Sequence, residues 1–300
     1  MQEKNPPSFV IFGYGGTMAN AVYDRLIQET NGYKLFAFDH QRVDVTSESQ
    51  LFPLLRYIRP NYVINCSSIS DVEICEMARV ASFSTNAVGA RNVAMACKDI
   101  GCKMVSFSTS HVFDGASKNP YSENCLPKPL NVYGKSKFQS EKDVMCASSR
   151  NLIIRVGWLF SHRGTNWLTE AVRMAEANEE MLVLEKRVGS PTYAVDVASA
   201  LVELIKADAC GVVHLANDGS SSWTAFYREI LSMARIDKEV IAVGPKKTTF
   251  FTAQYPCNST LSNRRYERIS GKKMRPWQEA LANCFEAWKK DGRDNNRIKP

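Results

Sequence analysis

A tyrosine and a lysine four residues apart, Tyr133 and Lys137 in LNVYGKSKFQ (130–139), fall on one face of an expected helix start. A lysine ammonium beside a phenol stabilises the phenolate and is expected to bring the tyrosine pKa down from about 10 toward working pH. Such a tyrosine can exchange a proton with a carbonyl or alcohol oxygen during hydride transfer. Thr109, in STSHVFDG (108–115), lies 24 residues before Tyr133, and its hydroxyl could hydrogen-bond the same oxygen. Asp114-Gly115 needs no such role, because Asp and Gly favour tight turns by themselves.

Hydride transfer needs a carrier, and GYGGTMA (13–19) has the composition of a dinucleotide turn. In the spacing G-x-x-G-x-x-A, Gly13 makes the tight turn, Gly16 lets backbone approach a pyrophosphate, and Ala19 lets helix pack on strand. The helix that follows offers free N–H groups and a positive dipole end to phosphate. Asp39 stands 23 residues after Gly16, where an acid binds the ribose 2′-OH of NAD(H). Arg42, three residues on, could instead take the 2′-phosphate of NADP(H), so cofactor choice stays open.

These residues must be held by an alternation of β-rich runs and amphipathic stretches. SFVIF (8–12) precedes a helical stretch (17–30), and KLFAF (34–38) precedes a helix led by Ser47 and ended by Arg59-Pro60. YVINC (62–66), a loop, a helix from about 84 to 99 closed by Gly101, KMVSF (103–107), a helix over 132–147 and LIIRV (152–156) follow. This order predicts an α/β protein with a Rossmann-type, doubly wound parallel sheet. Beyond 156 the spacing loosens into helices near 165–177, 194–206, 223–234 and 275–290, with MLVL and VVHLA as strands. The expected division is a dinucleotide-binding core over 1–160, a smaller α/β substrate lobe over 161–290 interleaved with it, and a polar tail over 291–300.

Composition narrows the classes. Apolar residues make up 44% and charged residues 23% of 300, as in an ordinary globular chain. Residues 264–300 hold eleven Lys/Arg against five Asp/Glu, so six of the seven net positive charges sit there. That reads as a solvated surface, and no aromatic–basic alternation of an RNA-binding module accompanies it, so nucleic acid is not an expected partner. No apolar run is long enough for membrane insertion, and MQEKNPPSF lacks the apolar core of a signal peptide. Nine cysteines form neither a C-x-x-C pair nor a cluster at metal spacing, so no metal is expected, and reduced thiols in the cytoplasm are.

An ordered series of segments carries a family resemblance: the glycine turn, DVTS (44–47), IRPNYVINCSS (58–68), TNAVGARNVAMAC (85–97), FSTSHVFDG, PLNVYGKSK, RVGWLF (155–160) and GSPTYAVDVA (189–198). The chain resembles the extended short-chain dehydrogenase/reductases, and among them the dTDP-4-dehydrorhamnose reductase family. The resemblance implies that Gly13, Gly16, Thr17, Met18, Asn65, Cys66, Ser67 and Lys137 touch the cofactor. It implies Tyr133 as proton donor, Thr109 as the group polarising a 4-keto oxygen, and Trp158, Ser110 and His111 at the sugar. The Pro191-Thr192 loop is expected near the nicotinamide. A nucleotide-sugar substrate, a 4-keto reduction feeding deoxysugar and surface-glycan synthesis, and a homodimer as one possible assembly come with it.

Three departures mark where this chain differs from that pattern. Ser110-His111 replaces Asp-Tyr, Asn65-Cys66-Ser67-Ser68 replaces Asn-Ala-Ala-Ala, and YPCNSTLSN (255–263) lacks an Arg-Pro element, for which Arg264 or Arg265 could substitute at phosphate. His111 admits two readings, a hydrogen-bond donor or a base for epimerisation beside the ketone. Two alternatives therefore accompany the reductase reading: a bifunctional 3,5-epimerase/4-reductase, and a non-catalytic regulatory protein like the β subunit of methionine adenosyltransferase.

Overall fold

The computed structural model describes residues 6–29, 32–177, 179–244 and 251–291. Thr30, the last residue of the expected first helix, and the tail beyond Asp291 lie outside them. The first half begins with β1 (Ser8–Phe12), α1 (Thr17–Ile27), β2 (Lys34–Phe38), α2 (Glu48–Ile58) and β3 (Tyr62–Asn65). The expected loop after β3 is instead two short helices, α3 (Val72–Met77) and α4 (Arg79–Phe83), running into a π-helical turn (Ser84–Gly89) and α5 (Ala90–Ile100). Asp71 caps α3 by accepting from Ile74 N at 2.8 Å, a start signal hidden in a short, weakly apolar stretch. β4 (Lys103–Thr109), a 3₁₀ turn (Ser110–Val112), α6 (Val132–Ala147) and β5 (Leu152–Val156) complete this half.

The second half carries β6 (Trp158–Phe160), α7 (Trp167–Glu176), β7 (Met181–Leu184), β8 (Val188–Gly189), β9 (Pro191–Tyr193), α8 (Ala194–Lys206) and β10 (Gly211–Leu215). It closes with β11 (Ser221–Ser222), α9 (Trp223–Ala234), β12 (Val240–Val243), β13 (Asn258–Ser259), α10 (Arg264–Ser270) and α11 (Trp277–Lys290). Pro191-Thr192, expected as a loop, is β9 and pairs in parallel with β6.

One parallel sheet in the order β10-β5-β4-β3-β1-β2 organises the molecule. The chain reverses direction across the sheet between β1 and β3, and a doubly wound sheet binds ligands in the crevice beyond such a switch point. Both faces are covered, which explains the unbroken apolar runs of the central strands. On one face Phe9, Ile11, Val105 and Ile154 pack against α1 and α8, and on the other Val10, Val63, Met104 and Ile153 pack against α2, α5 and α6. β10 and α8 thus return from the second half to the first. A separate aromatic core, including Phe160, Phe226, Trp223 and Trp277, holds α7, α9 and α11 together.

Candidate active site

At the C-terminal end of β1 the chain turns through Gly13, whose φ of +81° is a left-handed value. A Cβ there would stand 2.7 Å from Ser67 N, so only glycine lets this turn lie against the end of β3. Gly16 is the N-cap of α1 and supplies no side-chain cap, which leaves the first N–H groups of the helix to be met by something else. Asn65 Oδ1 accepts from Ser67 N at 3.1 Å and fixes the turn after β3.

The second wall comes from β4 and α6. β4 runs two residues further than the apolar pattern predicts, so Thr109 is its last residue and its Oγ1 accepts from His111 N at 3.2 Å. Asn131 caps α6 by accepting from Gly134 N at 2.8 Å. A Cβ on Gly134 would collide with the His111 carbonyl, so this glycine lets the helix start press against the end of β4. Buried Asn86, in the π-helical turn, ties both walls together. It donates to Ile69 O at 2.9 Å and Ser136 Oγ at 3.0 Å, and it accepts from Ile69 N at 2.8 Å and Ser68 Oγ at 3.0 Å. A π-turn at a functional site is a recurrent device, and here it turns one amide toward both the loop after β3 and the start of α6.

These elements enclose a cavity of about 900 Å³. Thr109, Tyr133 and Lys137 line it together with Gly16, Thr17, Met18, Asn65 and Cys66, and His111 and Trp158 line it as well. Gly13, Asp39, Ser67 and Ser110 do not. Asp39 Oδ1 is engaged in its own turn, accepting from Gln41 N at 3.1 Å and Arg42 N at 2.9 Å. Ser110 points into the protein interior, where its Oγ is buried with no hydrogen-bond partner. Arg264 is exposed and Arg265 donates to Cys210 O at 3.1 Å, so neither reaches this cavity. Trp158 both packs and lines: its ring stacks on Trp167 at 5.5 Å and meets Trp223 edge-on at 6.1 Å.

The outer rim includes a residue that no sequence motif marks. Glu73, on α3, accepts from Thr252 N at 2.8 Å, Thr252 Oγ1 at 2.7 Å, Ala253 N at 3.2 Å and Tyr255 Oη at 2.8 Å. Burial works to raise its carboxyl, but these hydrogen bonds together outweigh burial and hold it low. Tyr255 and Phe251 thereby become cavity walls, carried by a segment some 180 residues away in sequence.

Electrostatics corrects one expectation. Burial pushes Tyr133 up to about 12, against a lowering hydrogen bond with the Thr109 side chain, whereas Lys137 was expected to bring it down. Burial likewise pulls Lys137 down to about 8, with Glu141, one helical turn further on, opposing it. At this buried position, loss of water costs the phenolate more than the Thr109 hydrogen bond returns. Tyr133 is therefore a loaded phenol at neutral pH and Lys137 a cation close to its titration point. Activity that needs the ammonium falls as pH rises through about 8, because deprotonation removes the charge. A pH–rate profile checks this; a flat alkaline limb to pH 10 contradicts it.

A family model, the RmlD substrate binding domain, matches residues 8–290. The chain belongs to that family. Relatives include the spore coat polysaccharide biosynthesis protein SpsK of Bacillus subtilis, 29% identical over 92% of this chain and 96% of that protein. The dTDP-4-dehydrorhamnose reductase of Aggregatibacter actinomycetemcomitans is 28% identical over 91% of this chain and 97% of its own. Among solved structures, dTDP-4-dehydrorhamnose reductase from Bacillus anthracis, in complex with NADP, superposes with a TM-score of 0.88 at 31% identity, covering 94% of this chain and 99% of that one. Among the described residues no helix is long and apolar enough to cross a membrane.

Proposed function

We propose that this protein is an NADPH-dependent reductase of the 4-keto group of a nucleotide-linked 4-keto-6-deoxy sugar of the dTDP-4-dehydrorhamnose class. The observation carrying this reading is the convergence of Thr109, Tyr133 and Lys137 with the glycine turn of β1 on one cavity, in a chain matched by the family from residue 8 to 290. The cavity fits a dinucleotide: the Gly13 turn has no room for a side chain, and the uncapped start of α1 presents N–H groups where phosphate would sit. Gly16, Thr17, Met18, Asn65, Cys66 and Lys137 would hold it, with Gly13 and Ser67 shaping the turn behind them. When bound, the nicotinamide supplies a hydride.

Each protein group has a separate task in that reading. Thr109 Oγ1 orients the carbonyl oxygen, and Tyr133 Oη releases its proton to that oxygen as negative charge develops there. A high pKa suits a donor facing a developing alkoxide, because the phenol stays protonated until that charge appears. Lys137 stabilises the phenolate left behind, and solvent returns the proton. Trp158 and Tyr255 exclude water around the sugar. Turnover of NADPH with dTDP-4-dehydrorhamnose tests the reading; no cofactor oxidation, while a known reductase works in the same assay, overturns it.

NADPH preference is assigned to Arg42, exposed beside the Asp39 turn, because a guanidinium matches a phosphate while Asp39 already serves its own backbone. Arg42→Ala should raise KM for NADPH roughly tenfold to a hundredfold, the range of one charged hydrogen bond, and leave KM for NADH unchanged. Equal losses with both cofactors would place the 2′-phosphate elsewhere. The nine free cysteines support a cytoplasmic setting.

A further inference from the structure

We propose that His111 is a fixed hydrogen-bond donor to an oxygen of the substrate, its tautomer set by Asn131, and not a base that moves protons. The inference rests on reading the cavity as the sugar site of the reductase proposed above.

Asn131 has only one workable orientation. Its Oδ1 accepts from Gly134 N at 2.8 Å, and its Nδ2 donates to Gln254 O at 2.8 Å. A flipped amide would set NH₂ against an N–H and a carbonyl against a carbonyl. The same Nδ2 lies 3.2 Å from His111 Nδ1, and since it can only donate, Nδ1 must accept. The imidazole proton therefore sits on Nε2. His111 lines the cavity, its ring edge-on to Tyr133 at 5.7 Å and to Tyr255 at 5.8 Å.

Its surroundings keep the ring neutral. Tyr133 from α6 and Tyr255 from the 251–257 segment meet the ring, Lys137 and Glu73 line the same cavity, and Glu76 on α3 reaches the start of α6 beside them. Glu73 is engaged by Tyr255 and Thr252, and Glu76 accepts from Val132 N at 3.0 Å, so neither carboxylate pairs with the imidazole. Burial pulls His111 down to about 4. A neutral ring with its one lone pair already occupied by Asn131 cannot strip a carbon-bound proton. What it offers is a single N–H, which selects a hydroxyl or carbonyl oxygen where the family pattern places a carboxylate and a phenol.

Nitrogen-15 NMR of the imidazole side chains in the whole ligand-free protein, assigned with His111→Gln, decides the tautomer without any substrate. The expected result is Nε2 protonation with no titration between pH 5.5 and 8; an Nδ1-protonated ring, or a midpoint inside that range, overturns the proposal. Asn131→Asp should reverse both features, because a carboxylate would accept an Nδ1 proton and raise the pKa. With dTDP-4-dehydrorhamnose, His111→Phe should raise KM about tenfold, as for one lost hydrogen bond, and His111→Gln should recover most of it. Equal losses in both variants, or solvent deuterium entering the carbons beside the ketone during wild-type turnover, would refute the donor role. If wild-type protein turns over no keto sugar, the reductase reading fails, and the NMR result still decides the His111 tautomer.

Discussion

Replacing Tyr133 with phenylalanine should lower kcat by about a hundredfold to ten-thousandfold, the usual contribution of a positioned proton donor. NADPH binding should survive, because the change removes one oxygen from a cavity wall and leaves the glycine turn and Lys137 untouched. The size of the effect follows from the loaded state of the phenol. With its pKa up near 12, this hydroxyl still carries its proton when the alkoxide forms, and the substitution removes that proton altogether. Thr109→Val should cost less, since it removes an orienting hydrogen bond and not the proton. Rapid-mixing turnover and fluorescence titration of NADPH measure the two quantities separately. A regulatory protein on the same fold behaves differently: Tyr133→Phe would change nothing because there would be no turnover to lose. Residual activity within tenfold of wild type would show that the proton comes from another group.

The second large effect is on stability. Arg155, on β5, donates to Glu141 through Nε at 2.8 Å and Nη2 at 2.6 Å, and its Nη1 lies 3.4 Å from His214 Nε2. Its guanidinium also stands over the Phe113 ring, 5.1 Å from the centroid. Both charges are buried, with side-chain exposures of 4% and 6%. Arg155→Met should destabilise the protein by about 3–5 kcal/mol, because it strands a carboxylate in the interior; the cost lies in the orphan, not in the lost attraction. Glu141→Leu in the same chain should therefore restore much of the stability, and denaturant melts of the single and double variants test it. A double variant no more stable than Arg155→Met alone would contradict this account. Ser108 Oγ donates to Glu141 Oε1 at 2.5 Å, so the pair also anchors the residue next to Thr109. The double variant should thus regain its fold better than its rate.

Local pattern made the Rossmann half legible. SFVIF, KLFAF and LIIRV are strands at the expected residues, and the helices over 132–147, 194–206 and 223–234 begin and end as read. Apolar runs buried on both faces and asparagine or glycine punctuation are strictly local signals, so one sequence carries them. The α3–α4 segment escaped because two helices of six and five residues are too short to show periodicity. Glu73 escaped for another reason: its partners Thr252 and Tyr255 are neighbours only after folding. The 24-residue gap from Thr109 to Tyr133 was visible, but the direction of the Tyr133 shift was not, because spacing reports a nearby lysine and burial belongs to the assembled cavity. Asn131 escaped too: it caps α6, but its grip on His111 exists only after folding.

The return of β10 to the sheet has a consequence for how the chain is made. While residues 157–210 are being synthesised, β5 is an unpaired parallel edge, since its outer partner is Gly211–Leu215. Parallel pairing across such separations is slow, and an open edge invites pairing with other chains. α8, which covers α1, emerges just before that strand. A nascent chain stopped before residue 211 therefore carries an incomplete sheet and is a natural client for chaperones. The rim glutamate waits longer still, for a loop that leaves the ribosome some 180 residues after it. The cavity is thus finished late, only once the 251–255 segment has emerged, and a prematurely terminated product should aggregate instead of surviving as a half-built enzyme.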